Sequence, residues 1–203
     1  MAEKVRVAVL ISGRGSNMLA LSEYRRRDPG RNYEIVLVAS NVPEARGLVL
    51  ARRFGIKTWA KSHRGMARED FDALLDALLR EHKVEIVVLA GYMRLLSPGF
   101  VEKWEGRILN IHPSLLPLHK GLDTHQRAIL AGDEYAGCSV HVVTADLDSG
   151  PVVAQARVRI LPRDDAESLA ARVLEEEHRL YPIALDEYCG AIRGGAGSED
   201  DAG

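Results

Sequence analysis

Cysteine is nearly missing: the 203 residues contain only Cys138 and Cys189. Two thiols make no disulfide framework, and neither belongs to a C-x-x-C metal or redox pair. Both are expected as small core residues. No stretch approaches the ~18 consecutive apolar residues of a membrane helix. The first eight residues already carry Glu3, Lys4 and Arg6 and run into an apolar strand, so no secretory leader is read there. An excess of one charge sign is also lacking. Lys plus Arg number 27 and Asp plus Glu 29, a formal net charge of −2. That balance argues against nucleic-acid binding driven by overall positive charge, and it leaves room for a local basic site. H-E-x-x-H is absent, and the Asp and His spacings fit no common metal site. The expectation is a protein of the reducing cytoplasm with no metal, membrane or nucleic-acid partner. Its oligomeric state is open.

What is present is the material of one α/β domain. Hydrophobic residues make up 46% of the chain and charged residues 28%, enough to bury a substantial core. Val5 to Ile11, Ile35 to Ala39 and Ile86 to Ala90 are apolar runs without alternation. Helical patterns over Asn17 to Arg27, Ala45 to Phe54 and Arg68 to Glu81 separate them. Such an alternation predicts a parallel sheet covered on both faces. Further on, Ile108 to Ile111 reads as a short strand and Thr124 to Ala131 as a helix. Gly137 to Val143 and Val152 to Ile160 are β-rich runs joined by A-D-L-D-S-G-P, which predicts antiparallel pairing. A long helix is expected from Asp165 to Tyr188, with Pro182 a candidate kink. The fold predicted is Rossmann-like: an open mixed sheet, parallel in its N-terminal half and partly antiparallel in its C-terminal half. Residues 1–190 form the single domain expected, and residues 191–203 a disordered tail.

Three places carry candidate chemistry. S-G-R-G-S-N, residues 12–17, lies between a buried strand and a helix. There glycines let a backbone approach an anion, and free amides face it. Met18 stands where a third glycine would complete G-x-G-x-x-G, and no G-K-[ST] follows. Gly15, Ser16 and Asn17 are therefore read as a cradle for one phosphate, the alternative being a purely structural turn. Asn110 and His112, in N-I-H-P-S-L-L-P, are two apart and share one face of an extended chain. An amide and an imidazole side by side suit the oxygen of a carbonyl undergoing addition. The alternative is a solvated loop histidine with an asparagine turn. Asp148, in D-L-D-S-G-P, is either a turn former or a carboxylate of the site. His141, inside S-V-H-V-V, reads as a buried structural histidine.

Taken in order, I-S-G-R-G-S-N, V-V-L-A-G-Y-M-R-L-L-S, L-N-I-H-P-S-L-L-P and H-V-V-T-A-D-L-D-S-G-P resemble the phosphoribosylglycinamide formyltransferases, a folate-dependent family of purine synthesis. The resemblance runs over roughly residues 5–188. It implies attack of the amine of glycinamide ribonucleotide on the formyl carbon of the co-substrate 10-formyltetrahydrofolate, with no metal. It implies that Asn110 and His112 stabilise the formyl oxygen and that Asp148 assists removal of the amine proton. Gly15, Ser16, Asn17 and Glu177 would bind the ribonucleotide. Glu177 lies four residues from both Val173 and Tyr181, on the apolar stripe of its helix, where a carboxylate needs a partner or a ligand. Met93, Arg94, Leu95 and Leu96 would line the pterin cleft with Asn110, and Thr144 to Asp148 would close its other side. Arg68 would stand near the glutamate tail of the folate. The segment L-H-K-G-L-D-T-H departs from the family pattern, with Asp123 in place of a histidine found in some members. Sister enzymes that formylate methionyl-tRNA or hydrolyse formyltetrahydrofolate usually carry an extra domain, for which this length leaves no room.

Overall fold

The computed structural model describes residues 3–196. Seven strands form one sheet in the order β3-β2-β1-β4-β5-β6-β7. They are β1 (Val5–Ile11), β2 (Tyr33–Ser40), β3 (Lys57–Ala60), β4 (Ile86–Leu89), β5 (Ile108–His112), β6 (Tyr135–Val142) and β7 (Val152–Arg159). The helices are α1 (Ser16–Arg27), α2 (Arg46–Arg53), α3 (Arg68–Glu81), α4 (Pro98–Lys103), α5 (Thr124–Ala131) and α6 (Ala166–Ala196). Pairings from β3 across to β5 are parallel, and β5–β6 and β6–β7 are antiparallel. Both halves of the predicted sheet are therefore present.

The apolar run of β1 is explained by its position. Val5, Val7, Val9 and Ile11 enter a core shared with α1, α2 and α6. Ala8 and Leu10 point the other way, into a core built with α3 and α4. A strand buried on both faces has no polar face to alternate with. Each fully buried Val, Leu or Ile stabilises by about 1.5–3 kcal/mol, so this strand anchors both layers. Tyr181 of α6 fastens its layer to the sheet, since its hydroxyl lies 3.0 Å from the carbonyl oxygens of both Leu89 and Leu109.

Two elements were not foreseen. β3 is a four-residue edge strand, K-T-W-A, with no fully buried side chain and hence no apolar run to betray it. α4 has six residues and opens on Ser97, whose Oγ accepts the Phe100 N–H at 3.3 Å, with Pro98 at the first helical position. That pair is a helix-start signal which the surrounding G-Y-M-R-L-L-S motif obscured. The C-terminal boundary also needs correction. α6 continues to Ala196, so residues 191–196 are helical and not a disordered tail. Polar contacts replace the missing apolar anchor there. Arg193 donates to the Lys4 carbonyl at 3.2 Å and to Glu85 at 2.9 Å. The rest of the expected tail, residues 197–203, lies outside the described residues.

β1 has β2 on one side and β4 on the other. The chain reverses its direction across the sheet at that point, and the crevice outside the carboxyl ends of such strands is where open α/β sheets bind ligands. The turns after β1, β4 and β5 all open into it.

Candidate active site

The turn after β1 leads into α1 through Gly15, which has φ 77° and supplies no side-chain cap. The first amides of α1 have no partner within the helix, and its first turn holds no acidic residue. That combination favours an anion. The turn is packed against α2 with no room to spare. A Cβ added at Gly47 would lie 2.5 Å from Ile11 Cδ1 and 3.0 Å from Gly15 Cα. The Gly47 N–H also donates to the Gly13 carbonyl at 3.0 Å. Asn17 Nδ2 donates to Glu177 Oε2 at 2.7 Å, joining α1 to α6 within the core. Glu177 is buried as its place on the apolar stripe required, and burial raises its carboxyl above the usual carboxylate range, opposed by the Asn17 bond. Asn17 Oδ1 is buried with no partner among the described residues. Ser16 faces a cavity of about 420 Å³ between α1 and α6, whose lining does not include Asn110, His112 or Asp148.

The turn after β4 carries Met93, Arg94, Leu95 and Leu96. Met93 is 77% exposed and Leu95 56% exposed, while Leu96 packs on the core beneath. Arg94 stacks its guanidinium 4.9 Å from the Phe71 ring centroid and donates to the Ala67 carbonyl at 3.3 Å. Arg68, the first residue of α3, is exposed beside that carbonyl and has no ion pair among the described residues. A residue that was not singled out, Ser12, joins this turn to the one after β1. Its Oγ accepts the Met93 N–H at 2.8 Å and donates to Asn41 Oδ1 at 2.6 Å, and its N–H donates to the Gly91 carbonyl at 3.1 Å.

Beyond the turn after β4, in the order of the strands, stands the cluster at the end of β5. Asn110 and His112 share a face, and their antiparallel partners on β6 are His141 and Ser139. Asn110 Nδ2 lies 3.1 Å from His141 Nε2, and His141 Nδ1 lies 3.1 Å from the Val142 carbonyl. A carbonyl only accepts, so Nδ1 of His141 donates to it, while Nε2 faces both Asn110 and the loop after β6. The loop after β6 brings Asp148 over the cluster, with φ 46°. Asp148 Oδ2 lies 3.4 Å from His112 Nδ1, and Oδ1 lies 3.6 Å from His141 Nε2. Its Oδ2 also accepts the Gly121 N–H at 3.0 Å. The cluster is largely shielded from solvent: the side chains of His112 and Asp148 are 7% and 8% exposed. Thr144, by contrast, lies exposed on the outer part of the loop, bonded to the Asp146 carbonyl at 3.3 Å.

Burial pushes the His112 imidazole below its ordinary value. The His119 carbonyl and Asp148 oppose that, and His141 and Arg127 reinforce it. Burial alone would raise the Asp148 carboxyl, but His141, the Gly121 N–H and the charge of His112 together hold it below the usual carboxylate range. The outcome is an uncharged imidazole beside an ionised carboxylate at neutral pH. His141, expected to be merely structural, is part of this cluster. Only the register Asn110↔His141, a long-range pairing, reveals it.

An open α/β sheet with a glycine turn at its switch point, and an amide, an imidazole and a carboxylate at the end of a nearby strand, has the donor set that group transfer at a carbonyl requires. The chain belongs to the formyl transferase family, whose pattern matches residues 5–185. It is 42% identical over 185 residues to phosphoribosylglycinamide formyltransferase of Escherichia coli strain K12, covering 91% of this chain and 87% of that one. The solved structure of phosphoribosylglycinamide formyltransferase from Brucella melitensis is similar with a TM-score of 0.87 at 52% identity, covering 92% of this chain and 96% of that one. The trifunctional purine biosynthetic protein adenosine-3 of Gallus gallus is 47% identical over 183 residues, 90% of this chain. The chain spans only 18% of the length of that relative.

Proposed function

We propose that the chain transfers the formyl group of 10-formyltetrahydrofolate to the primary amine of glycinamide ribonucleotide, releasing formylglycinamide ribonucleotide and tetrahydrofolate in purine synthesis. One observation carries this reading: Asn110, His112 and Asp148 converge at the end of β5, on the same edge of the sheet as the glycine turn after β1 and the largely apolar turn after β4. The ribonucleotide phosphate sits on Gly15, Ser16 and Asn17, with Glu177 behind them. The pterin lies along Met93 to Leu96 and Asn110 and is covered by Thr144 to Asp148, and Arg68 meets the glutamate tail. Both substrates are small molecules of the cytoplasm. The near-balanced charge fits an enzyme that holds no large polyanion.

The chemistry follows from the donor set. The amine attacks the formyl carbon and the formyl oxygen becomes an oxyanion. Asn110 has a second Nδ2 hydrogen besides the one given to His141, and it donates that one to the oxyanion. One such donor lowers a barrier by about 2.7–4 kcal/mol. Asp148, ionised, draws the proton from the attacking amine and passes it to His112 Nδ1. The imidazolium so formed places positive charge beside the oxyanion. Its proton then goes to the folate nitrogen as the carbon–nitrogen bond to the folate breaks. No covalent enzyme intermediate is needed.

Substrate dependence tests the reading. Tetrahydrofolate should be released from 10-formyltetrahydrofolate only when glycinamide ribonucleotide is added. Release without an acceptor would make the chain a hydrolase instead, and binding of both ligands without turnover would make it a carrier.

A further inference from the structure

The segment that departs from the family pattern holds the back of the catalytic imidazole. His112 Nε2 lies 3.1 Å from the carbonyl oxygen of His119. A carbonyl cannot donate, so this contact fixes the proton of neutral His112 on Nε2 and leaves the Nδ1 lone pair facing Asp148. The carbonyl points there because His119 has φ 51°, the left-handed region that a β-carbon disfavours. Backbone in that region persists only where its surroundings over-determine it. Here the surroundings are a side-chain contact: His119 Nε2 lies 2.6 Å from Asp133 Oδ2. Asp133 is itself fixed. It follows Gly132, the cap of α5, and its N–H donates to the Ala128 carbonyl at 3.1 Å. The junction of α5 and β6 thus grips His119 through its side chain and aims its carbonyl at the site.

We propose that His119, held by Asp133, is a positioning residue that sets the tautomer of His112 and so makes Nδ1 the atom that receives the proton from Asp148. The inference rests on the role given to His112 under the proposed function. It assigns a task to two residues outside the three-residue cluster and outside both proposed binding sites. The other groups facing His112 are Asp148 on the loop after β6, His141 on β6, and His125 and Arg127 on α5. None of them presents a carbonyl to Nε2.

The test compares His119→Ala, His119→Gly, Asp133→Ala and Asp133→Asn with the unaltered chain. His119→Ala and Asp133→Ala should lower kcat about tenfold, the effect of losing one well-placed hydrogen bond. KM for both substrates should stay within about twofold, since the pair lies outside both proposed binding sites. The acid limb of the kcat profile should move to lower pH, because the His119 carbonyl favours the charged form of His112. His119→Gly should retain more activity than His119→Ala, since glycine adopts φ 51° without an anchor. Asp133→Asn keeps an acceptor for His119 and should stay near the unaltered rate. Nitrogen-15 spectra of His112, assigned by loss of its signals in His112→Asn, should show the Nε2–H tautomer in the unaltered chain and a mixture in Asp133→Ala. Unchanged kcat, pH limb and tautomer in Asp133→Ala would overturn the inference. An active His112→Asn variant would instead overturn the role of His112 itself. If His119→Ala fails to fold, the two Asp133 variants decide the matter.

Discussion

Asn17 and Glu177 stand 160 positions apart in the chain and meet in a buried hydrogen bond of 2.7 Å. One end of that bond lies in the proposed phosphate cradle and the other deep in α6. It places an ionisable group where packing alone would have placed a leucine. A carboxylate in that position costs stability when ionised, and its retention is explained if it meets the ribonucleotide.

Glu177→Gln should therefore separate stability from binding. The folded carboxyl binds its proton more tightly than the unfolded one, because burial raises it. That contribution to stability is complete below the unfolded value and is lost as pH rises through the folded value. The glutamine variant has nothing to lose, so its melting temperature should exceed that of the unaltered chain near pH 8, and the gap should close in acid. KM for the ribonucleotide should rise about tenfold, roughly one hydrogen bond to the ligand. A variant that melts lower at pH 8 and higher in acid would reverse the assignment.

Asp148→Asn should lower kcat by ~10²–10⁴, the usual value of a positioned base. Ribonucleotide binding measured without folate should be unaffected. The residual activity should keep an acid limb, displaced to lower pH, since the carboxylate is one of the groups that raise His112. In the unaltered chain that limb should already lie below the ordinary histidine value. Near-normal turnover in the variant would remove Asp148 from the reaction.

Gly47→Ala should act on the phosphate turn from outside it. The new methyl would meet Ile11 Cδ1 at 2.5 Å and Gly15 Cα at 3.0 Å, so the turn or α2 must move. Overpacking of this kind costs about 1–3 kcal/mol of stability. KM for the ribonucleotide should rise by about tenfold or more while KM for the folate stays within about twofold. If the folate constant moved and the other did not, the two sites would have to be exchanged.

Most of the sheet was legible because its central strands are buried on both faces and so carry uninterrupted apolar runs. α3 was bounded to the residue by its apolar spacing, and α5 was expected near the residues it occupies. β3 escaped because an edge strand of four half-exposed residues obeys no strong pattern. The residues that border the chemistry divide in the same way. Asn110 and His112 are visible as a local pair two residues apart, and Asp148 through the loop motif that carries it. His141, His119 and Ser12 become relevant only through partners 31, 7 and 81 positions away. Register and loop closure decide such meetings, and neither is written in a window of a few residues.

The hydroxyl of Ser12 makes the two proposed pockets structural neighbours. It accepts from the turn proposed for the pterin, while its own backbone opens the turn proposed for the phosphate. Free energies around a closed cycle must balance, so any factor by which one ligand tightens the other is returned in equal measure. Titration calorimetry of each ligand in the presence and absence of the other should give one such factor for the unaltered chain. It should fall toward one in Ser12→Ala, with each ligand still able to bind alone. Two substrates that must meet at a single carbon are then also joined through a single oxygen of the protein.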